Sequence, residues 1–364
     1  MATLKPKHIL IAPLDWGLGH TARCIPLISY IQSLGHIPVV ACNSSQRSFI
    51  EETFGGITII NLEGYNITYS QWNKWGQMGL LSQLPGIINA INREHKWLQK
   101  LAEKMQIDGI ISDNRYGLFH ARIPSVILTH QLRVRSGFWN VADRLVQKIH
   151  YKYLERFNAT WVVDAPGDTN LGGKLSHTVP LPRHTKYIGL LSRFAGVAEP
   201  GETNGSLLVL LSGPEPQRSI LSRMLWRQAL RYNGKVIFIE GSDTTVPPTE
   251  IPPHIAYYNR MGCDQLTPFL KGAGMVVCRS GYSTLMDLVT LQKKAILIPT
   301  PGQTEQEYLG KRLHEEGVFY CTKQIGFDLA RAMNESRDFP FKTLELSSAF
   351  SSYQNIVGEW LGGL

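Results

Sequence analysis

The sequence predicts an α/β protein built from two doubly wound domains, and three observations support this. Residues 8–12 read HILIA, a strand of buried type; a glycine-containing turn, a helical pattern over 21–34 and a second strand at 38–41 follow, which together make a βαβ unit. A second strand, turn and helix series begins at 206–211. Between the two lies 198–205, Ala-Glu-Pro-Gly-Glu-Thr-Asn-Gly, a stretch of linker composition. At 364 residues the chain is long enough for two such domains and a large core.

In the first domain, the turn after residues 8–12 runs Pro13-Leu14-Asp15-Trp16-Gly17-Leu18-Gly19-His20. Gly17 and Gly19 let the chain double back, and His20 sits at the start of the helix. A helix N-terminus keeps an imidazole neutral, as a general base requires. The plain alternative is a capping histidine without chemistry. The spacing lacks the third glycine of a dinucleotide fingerprint, and no acid clearly ends the second strand, which disfavours a dehydrogenase. A strand at 57–62 precedes a long segment, 65–104, that mixes Trp72, Trp75 and Trp97 with apolar residues and Lys74, Arg93, Lys96, Lys100 and Lys104. Such a mixture fits either an interfacial helix at an anionic membrane or, more simply, a core helix with buried tryptophans. Strands at 108–112 and 125–129 end in Asp113-Asn114-Arg115-Tyr116-Gly117 and in His130-Gln131, on the sheet edge that carries His20. Residues 133–156 are basic and aromatic, but no nucleic-acid fold signature accompanies them, so no nucleic-acid partner is expected. The last strand expected here is 160–164.

In the second domain, the strand at 206–211 leads into Ser212-Gly213-Pro214-Glu215-Pro216-Gln217-Arg218 and a helix over 219–231. Strands at 236–240 and 256–259 follow. The next unit is the most informative in the chain. The apolar strand 275–278 stops at Arg279-Ser280-Gly281; Leu285, Leu288, Val289 and Leu291 then recur at helical spacing, and a strand at 295–298 ends at Pro299. Ligands in such sheets bind outside the strand carboxyl ends. Gly281 permits close backbone approach, Ser280, Ser283 and Thr284 offer hydroxyls, and the helix N-terminus favours a phosphate. Asp287, one turn past Ser283, is within reach of ribose hydroxyls.

Cys278-Arg279-Ser280-Gly281, Thr284, Asp287, Pro299, Gln306 and Tyr308 resemble the donor-binding signature of family 28 glycosyltransferases, whose best-known members are the MurG-type N-acetylglucosaminyltransferases. The resemblance is specific over this stretch and thinner elsewhere. It implies the GT-B architecture: two Rossmann-like domains facing a cleft, at 1–197 and 198–345, with a C-terminal helix, 346–364, crossing back to the first. It implies a UDP-linked hexose or N-acetylhexosamine as donor, held by Ser212, Gly213, Arg218, Arg279, Ser280, Gly281, Thr284, Asp287, Gln306 and Glu307. Asp287 stands where the family has Glu for the ribose, and Gln306-Glu307 where the family has two Gln for the sugar. The two prolines of 212–218 are a departure, and Arg218 is expected to add positive charge toward the diphosphate. The Gly17, Gly19 loop resembles the family's acceptor-side loop, which also ends in His. Asp113, His130 and Gln131 are then candidates for acceptor binding or for orienting the base. The expected reaction is inverting and metal-independent, with His20 as base and no cofactor, the nucleotide-sugar being a co-substrate. The acceptor is unidentified, a lipid-linked one being one option, with peripheral membrane contact. Gly17 to Arg23 also resembles the G-x-G-H-x-x-R pattern of a nucleotide-sugar hydrolase of the pseudaminic acid pathway. Hydrolase, 2-epimerase and non-catalytic nucleotide binder are therefore the competing classes.

Composition limits rather than chooses. The formal charge of +8 favours an anionic partner. Five scattered cysteines, Cys24, Cys42, Cys263, Cys278 and Cys321, have neither metal-ligand nor redox spacing and fit reduced thiols. With no membrane-length apolar run and no signal-peptide pattern, the expectation is a cytoplasmic protein, in contact with the inner membrane face if the 65–104 segment is interfacial.

Overall fold

The structure, a computed structural model, describes residues 5–65, 76–134, 140–196, 203–242 and 245–364. The chain divides into two compact units, residues 1–192 with 346–364, and residues 193–345. The first unit ends at Ser192, where the sequence reading had 197, and Arg193 pairs with Asp287 within the second unit.

Unit 1 contains β1 (His8–Pro13), α1 (Leu18–Ser33), β2 (Ile37–Cys42), α2 (Ser44–Thr53), β3 (Thr58–Asn61), α3 (Gly76–Lys104), β4 (Gly109–Asp113), β5 (Ser125–Thr129), α4 (Asn140–Leu154), β6 (Ala159–Val162) and β7 (Thr185–Tyr187). Its parallel sheet has the order β3-β2-β1-β4-β5-β6-β7. Helices on both faces of a parallel sheet demand strands apolar on both sides, and Ile9, Leu10, Ile11, Ile110 and Ile111 are fully buried. The order reverses between β1 and β4, where Pro13 pairs with Asp113. The turns after these two strands are therefore neighbours, which is what assembles the site in this unit.

Unit 2 repeats the plan with β8 (Ser206–Leu210), α5 (Gln217–Ala229), β9 (Val236–Ile239), β10 (Ile255–Tyr258), α6 (Cys263–Gly272), β11 (Ala273–Cys278), α7 (Tyr282–Thr290), β12 (Ala295–Leu297), α8 (Thr304–Glu315), β13 (Tyr320–Cys321) and α9 (Leu329–Glu335). Its sheet order is β10-β9-β8-β11-β12-β13, and the reversal falls between β8 and β11. Val209, Phe238, Val277 and Ile296 form its core with Leu221 and Leu225 of α5.

The last helix, α10 (Ser352–Gly362), returns to unit 1. Trp360 packs edge-on against Trp161 at 5.4 Å, Tyr353 against Tyr30 at 5.8 Å, and Lys7 Nζ donates to the carbonyls of Leu361 at 2.7 Å and Leu364 at 3.1 Å. The lysine satisfies helix-end carbonyls and complements the dipole there.

The sequence reading did not place β7 and β13. Both are edge strands too short to show a period. Helix α1 begins at Leu18, so His20 lies inside its first turn. In α3, Trp97 is half-buried and packs with Leu101 on the core formed by Leu98, Ile107 and Leu118; Trp72 and Trp75 lie outside the described residues. Among the described residues no helix is long and apolar enough to cross a membrane.

Candidate functional site

Each sheet carries its polar turns at its own reversal point. In unit 1, Gly17 adopts φ 83°, a left-handed value that favours glycine, and caps α1 without a side-chain bond. Gly19 lies in the first turn of α1 beside His20. His20 Nδ1 is 2.9 Å from Asp113 Oδ2. Arg23, one turn further along α1, donates from Nε to Asp113 Oδ2 at 2.9 Å and from Nη2 to Oδ1. Its Nη1 lies 2.8 Å from His130 Nδ1. The side chains of Arg23 and Asp113 are 1% and 0% exposed, that of His20 14%, so the imidazole is the member of the pair that reaches solvent. Burial alone would push the Asp113 carboxyl up, but Arg23 and His20 hold it down at about 2. It is ionised; His20 Nδ1 lies 2.9 Å both from Asp113 Oδ2 and from Arg23 Nη2, and with the His20 proton on Nδ1, toward the carboxylate, the Nε2 lone pair is left to act as a base. Burial, then Arg23, lower the His20 pKa against the pull of Asp113. The structure therefore joins His20, Asp113 and His130 through a residue to which the sequence reading gave no role. Gln131 stands apart, its amide Nε2 donating to the Arg133 carbonyl at 3.3 Å.

In unit 2 the turns after β8, β11 and β12 are tied together mainly through backbone. Arg279 is 1% exposed; its Nη1 donates to the carbonyls of Ile298 and Pro299, both at 3.1 Å, and its Nη2 to that of Gln217 at 2.9 Å. Burial pulls its pKa down to about 10. Ser280 is fully buried and its hydroxyl donates to the Gln306 carbonyl at 2.8 Å. These two side chains hold the turns in place and are not offered to a ligand, because buried turn carbonyls require donors. Arg218 is similarly committed: it is 4% exposed and bonded to Glu240 Oε1 at 2.5 Å, to Glu215 and to Thr245 Oγ1 at 3.2 Å. Its charge is met by two carboxylates, so it does not supply the positive field expected of it. Gln306 Oε1 accepts from the Thr300 amide and Glu307 Oε1 from the Gly302 amide, both at 2.9 Å, so both side chains brace the 299–303 turn.

Ser212 and Gly213 are exposed, and Gly213 has φ 106°. Gly281 caps α7 at an ordinary φ of −72°, and a Cβ there would meet nothing within 4 Å, so neither backbone conformation nor crowding in the free protein requires glycine, and the space above the turn is open. Thr284 is half-buried on the next turn. Asp287 pairs with Arg193 Nε at 3.3 Å, each side chain 13% exposed. Cys263 lies beside this pair, its Sγ 3.9 Å from the Arg193 carbonyl, and burial pushes its thiol up. Among the described residues no three His, Cys, Asp or Glu side chains are grouped as a metal ion would need.

The chain is similar to known proteins along most of its length. Residues 254–354 match the glycosyltransferase family 28 C-terminal domain. An uncharacterised glycosyltransferase of Methanosarcina acetivorans is 23% identical, over 93% of this chain and 90% of the relative. Among solved structures, the glycosyltransferase SnogD of Streptomyces nogalater is similar with TM-score 0.64 at 13% identity, covering 98% of this chain and 99% of SnogD. MurG of Acinetobacter baumannii is similar with TM-score 0.53 at 11% identity, covering 99% of this chain and all (100%) of MurG. The chain is a glycosyltransferase of the GT-B type. In this glycosyltransferase the family 28 segment contains Asp287, the Arg279-Ser280-Gly281 turn, Gln306 and Glu307.

Two residues of the glycosyltransferase were given no role by the sequence reading. Arg23 entered it only as the end of the G-x-G-H-x-x-R pattern, although three residues along a helix from His20 places it on the same face. Arg193 had none, standing just before the linker with nothing in the pattern to mark it.

Proposed function

We propose that this glycosyltransferase moves a hexose or N-acetylhexosamine from a UDP-linked donor to an acceptor hydroxyl, with inversion and without a metal ion. The observation that carries the reading is the Asp287 carboxylate, partly exposed and paired with Arg193, one turn into the helix that Gly281 leaves uncapped by any side chain. A carboxylate there accepts from ribose hydroxyls, while the α7 N-terminus and the Ser212-Gly213 turn receive the diphosphate. Gln306 keeps its amide Nε2 for the sugar, since only its Oε1 braces the turn.

The chemistry divides between the units. His20 Nε2 takes the proton of the acceptor hydroxyl as its oxygen bonds to the anomeric carbon; the bond from that carbon to the diphosphate oxygen breaks, and UDP leaves with the electron pair. Asp113 steadies the imidazolium that forms. General base catalysis of this kind contributes about 10²–10⁴ in rate, and backbone donors aimed at the diphosphate stabilise the leaving charge. A lipid-linked acceptor fits the basic face of α4, where Arg144, Lys148 and Lys152 are exposed at helical spacing beside Ile149, 49% exposed.

A thermal-shift panel of nucleotide-sugars tests the donor, because a bound ligand raises stability by mass action. UDP-sugars are expected to stabilise most, and a GDP- or dTDP-sugar doing so instead overturns the donor assignment. UDP release should then require an acceptor and persist in EDTA. Equal release in water alone means hydrolysis, and sugar isomerisation without release means a 2-epimerase. Proton NMR of the new anomeric centre reads inversion directly. Sedimentation with anionic vesicles at low and high salt tests membrane contact.

A further inference from the structure

Arg23 is buried within the base cluster, yet proton transfer as described above does not use it. Its guanidinium meets Asp113 edge-on, Nε to Oδ2 at 2.9 Å and Nη2 to Oδ1, the bidentate geometry that fixes a carboxylate in direction as well as position. Its remaining arm, Nη1, lies 2.8 Å from His130 Nδ1. A guanidinium only donates, so His130 Nδ1 accepts and the His130 proton resides on Nε2. Nη2 also lies 2.9 Å from His20 Nδ1, which is equally close to Asp113 Oδ2, so a proton carried on that nitrogen points to the carboxylate and faces the Arg23 cation. Asp113 therefore draws a proton onto His20, while the Arg23 cation at the same distance opposes an imidazolium there. A His–Asp pair without such a cation would hold its histidine protonated to higher pH.

We propose that Arg23 is a positioning residue for the transfer reaction: it locks the Asp113 carboxylate against His20 Nδ1, anchors on His130 and offsets the carboxylate charge, so that His20 rests as a neutral imidazole with Nε2 ready to accept a proton. This rests on His20 being the base. The charged and titratable groups around the His20–Asp113 pair are Arg23 and Cys24 of α1, Asp113 of β4, Tyr116 in the turn after β4 and His130 after β5. Burial and Asp113 push the Cys24 thiol and the Tyr116 hydroxyl up, so both stay neutral and Arg23 is the cation opposing Asp113.

The test is an NMR titration of the full-length protein with isotope-labelled histidine, the His20 signal being assigned by its loss in His20→Gln. Wild-type His20 is expected to titrate below the ordinary histidine value. In Arg23→Gln its midpoint should rise by about one unit or more, the size of shift that a nearby charge produces. The acid limb of kcat/KM should move with it, whereas a merely structural arginine would lower the rate alike at every pH. An unmoved His20 midpoint in folded Arg23→Gln overturns the proposal. Where Arg23→Gln does not fold, Arg23→Lys keeps the cation and removes the Nη1 arm. His130 should then lose its fixed tautomer, seen as a change in its Nδ1 nitrogen shift, and an unchanged shift overturns the proposal equally. His20→Ala separates this from the reading beneath it: full transfer activity in that variant removes His20 as base, whatever Arg23 does to the titration.

Discussion

In unit 1 the reversal point between β1 and β4 is filled by charged side chains: Arg23, Asp113 and His130 are buried there, and only His20 of the cluster reaches outward. In unit 2, at the equivalent point between β8 and β11, the arginines and serine are turned inward onto backbone carbonyls and hold the turns. The difference follows from the work each is proposed to do. A base needs one atom set at a defined basicity, which takes fixed charges nearby. A diphosphate needs many weak donors spread over its oxygens, which takes amides and open space above glycine. On the proposed function the same sheet topology serves acid–base chemistry in one half and anion binding in the other.

Several experiments would break or sharpen this contrast. Replacing His20 with Ala should lower kcat by about 10²–10⁴ with UDP affinity changed less than about twofold, measured by steady-state kinetics and calorimetry; an intact kcat would remove chemistry from unit 1. The buried arginines should differ in stability. Arg23→Ala strands the Asp113 charge and should cost about 3–5 kcal/mol, whereas Arg279→Ala frees only neutral carbonyls and should cost about 1–3 kcal/mol. Equal losses in urea unfolding would erase the distinction drawn between them. Asp287→Ala should raise the donor KM by about 10–100-fold with kcat little changed, as expected where a charged hydrogen bond made in ground and transition state is lost.

The pH dependence carries the same sign from two groups. The His20 pKa is lowered, so its contribution to stability is complete above the unfolded histidine value and is lost as pH falls below it. Asp113 is held at about 2, so its contribution is present above the unfolded carboxyl value and is lost as pH falls toward 2. Unit 1 should therefore loosen stepwise in acid, and the rate, flat above neutrality, should fall before unfolding begins. A rate that rises on acidification would contradict His20 as base. The smallest effects lie at glycines. Gly281→Ala should cost the free protein about 0.5–1 kcal/mol, since its φ is ordinary and its surroundings open but alanine caps a helix less well, and should weaken the donor about tenfold by the loss of a close contact. Gly213→Ala, at φ 106°, should instead cost the free protein about 1 kcal/mol.

Much of the architecture was legible in the chain. Buried parallel strands write themselves as short apolar runs, and 8–12, 125–129 and 275–278 stood out for that reason. The strands that did not, β7 and β13, have three and two residues and owe their conformation to the neighbour they pair with. Among the candidate site residues, His20 and Asp113 could be named because each ends or follows a strand in a polar turn. Arg218, Arg279 and Ser280 could be named by position but not by role, because a sequence does not say whether a polar side chain points toward a ligand or back toward the carbonyls of its own turn.

The sequence by itself determined two α/β halves, the turns that carry polar residues, and Asp287 and His20 as the groups worth testing. Tertiary structure decided which of those polar groups are already taken. Pairing Pro13 with Asp113 brings a carboxylate under an imidazole from 93 residues away, and only that register lets Arg23 meet both. Periodicity reports which way a residue faces along its own element; which charges end up within bonding distance is set by strand order and register, and these depend on contacts far apart in the chain.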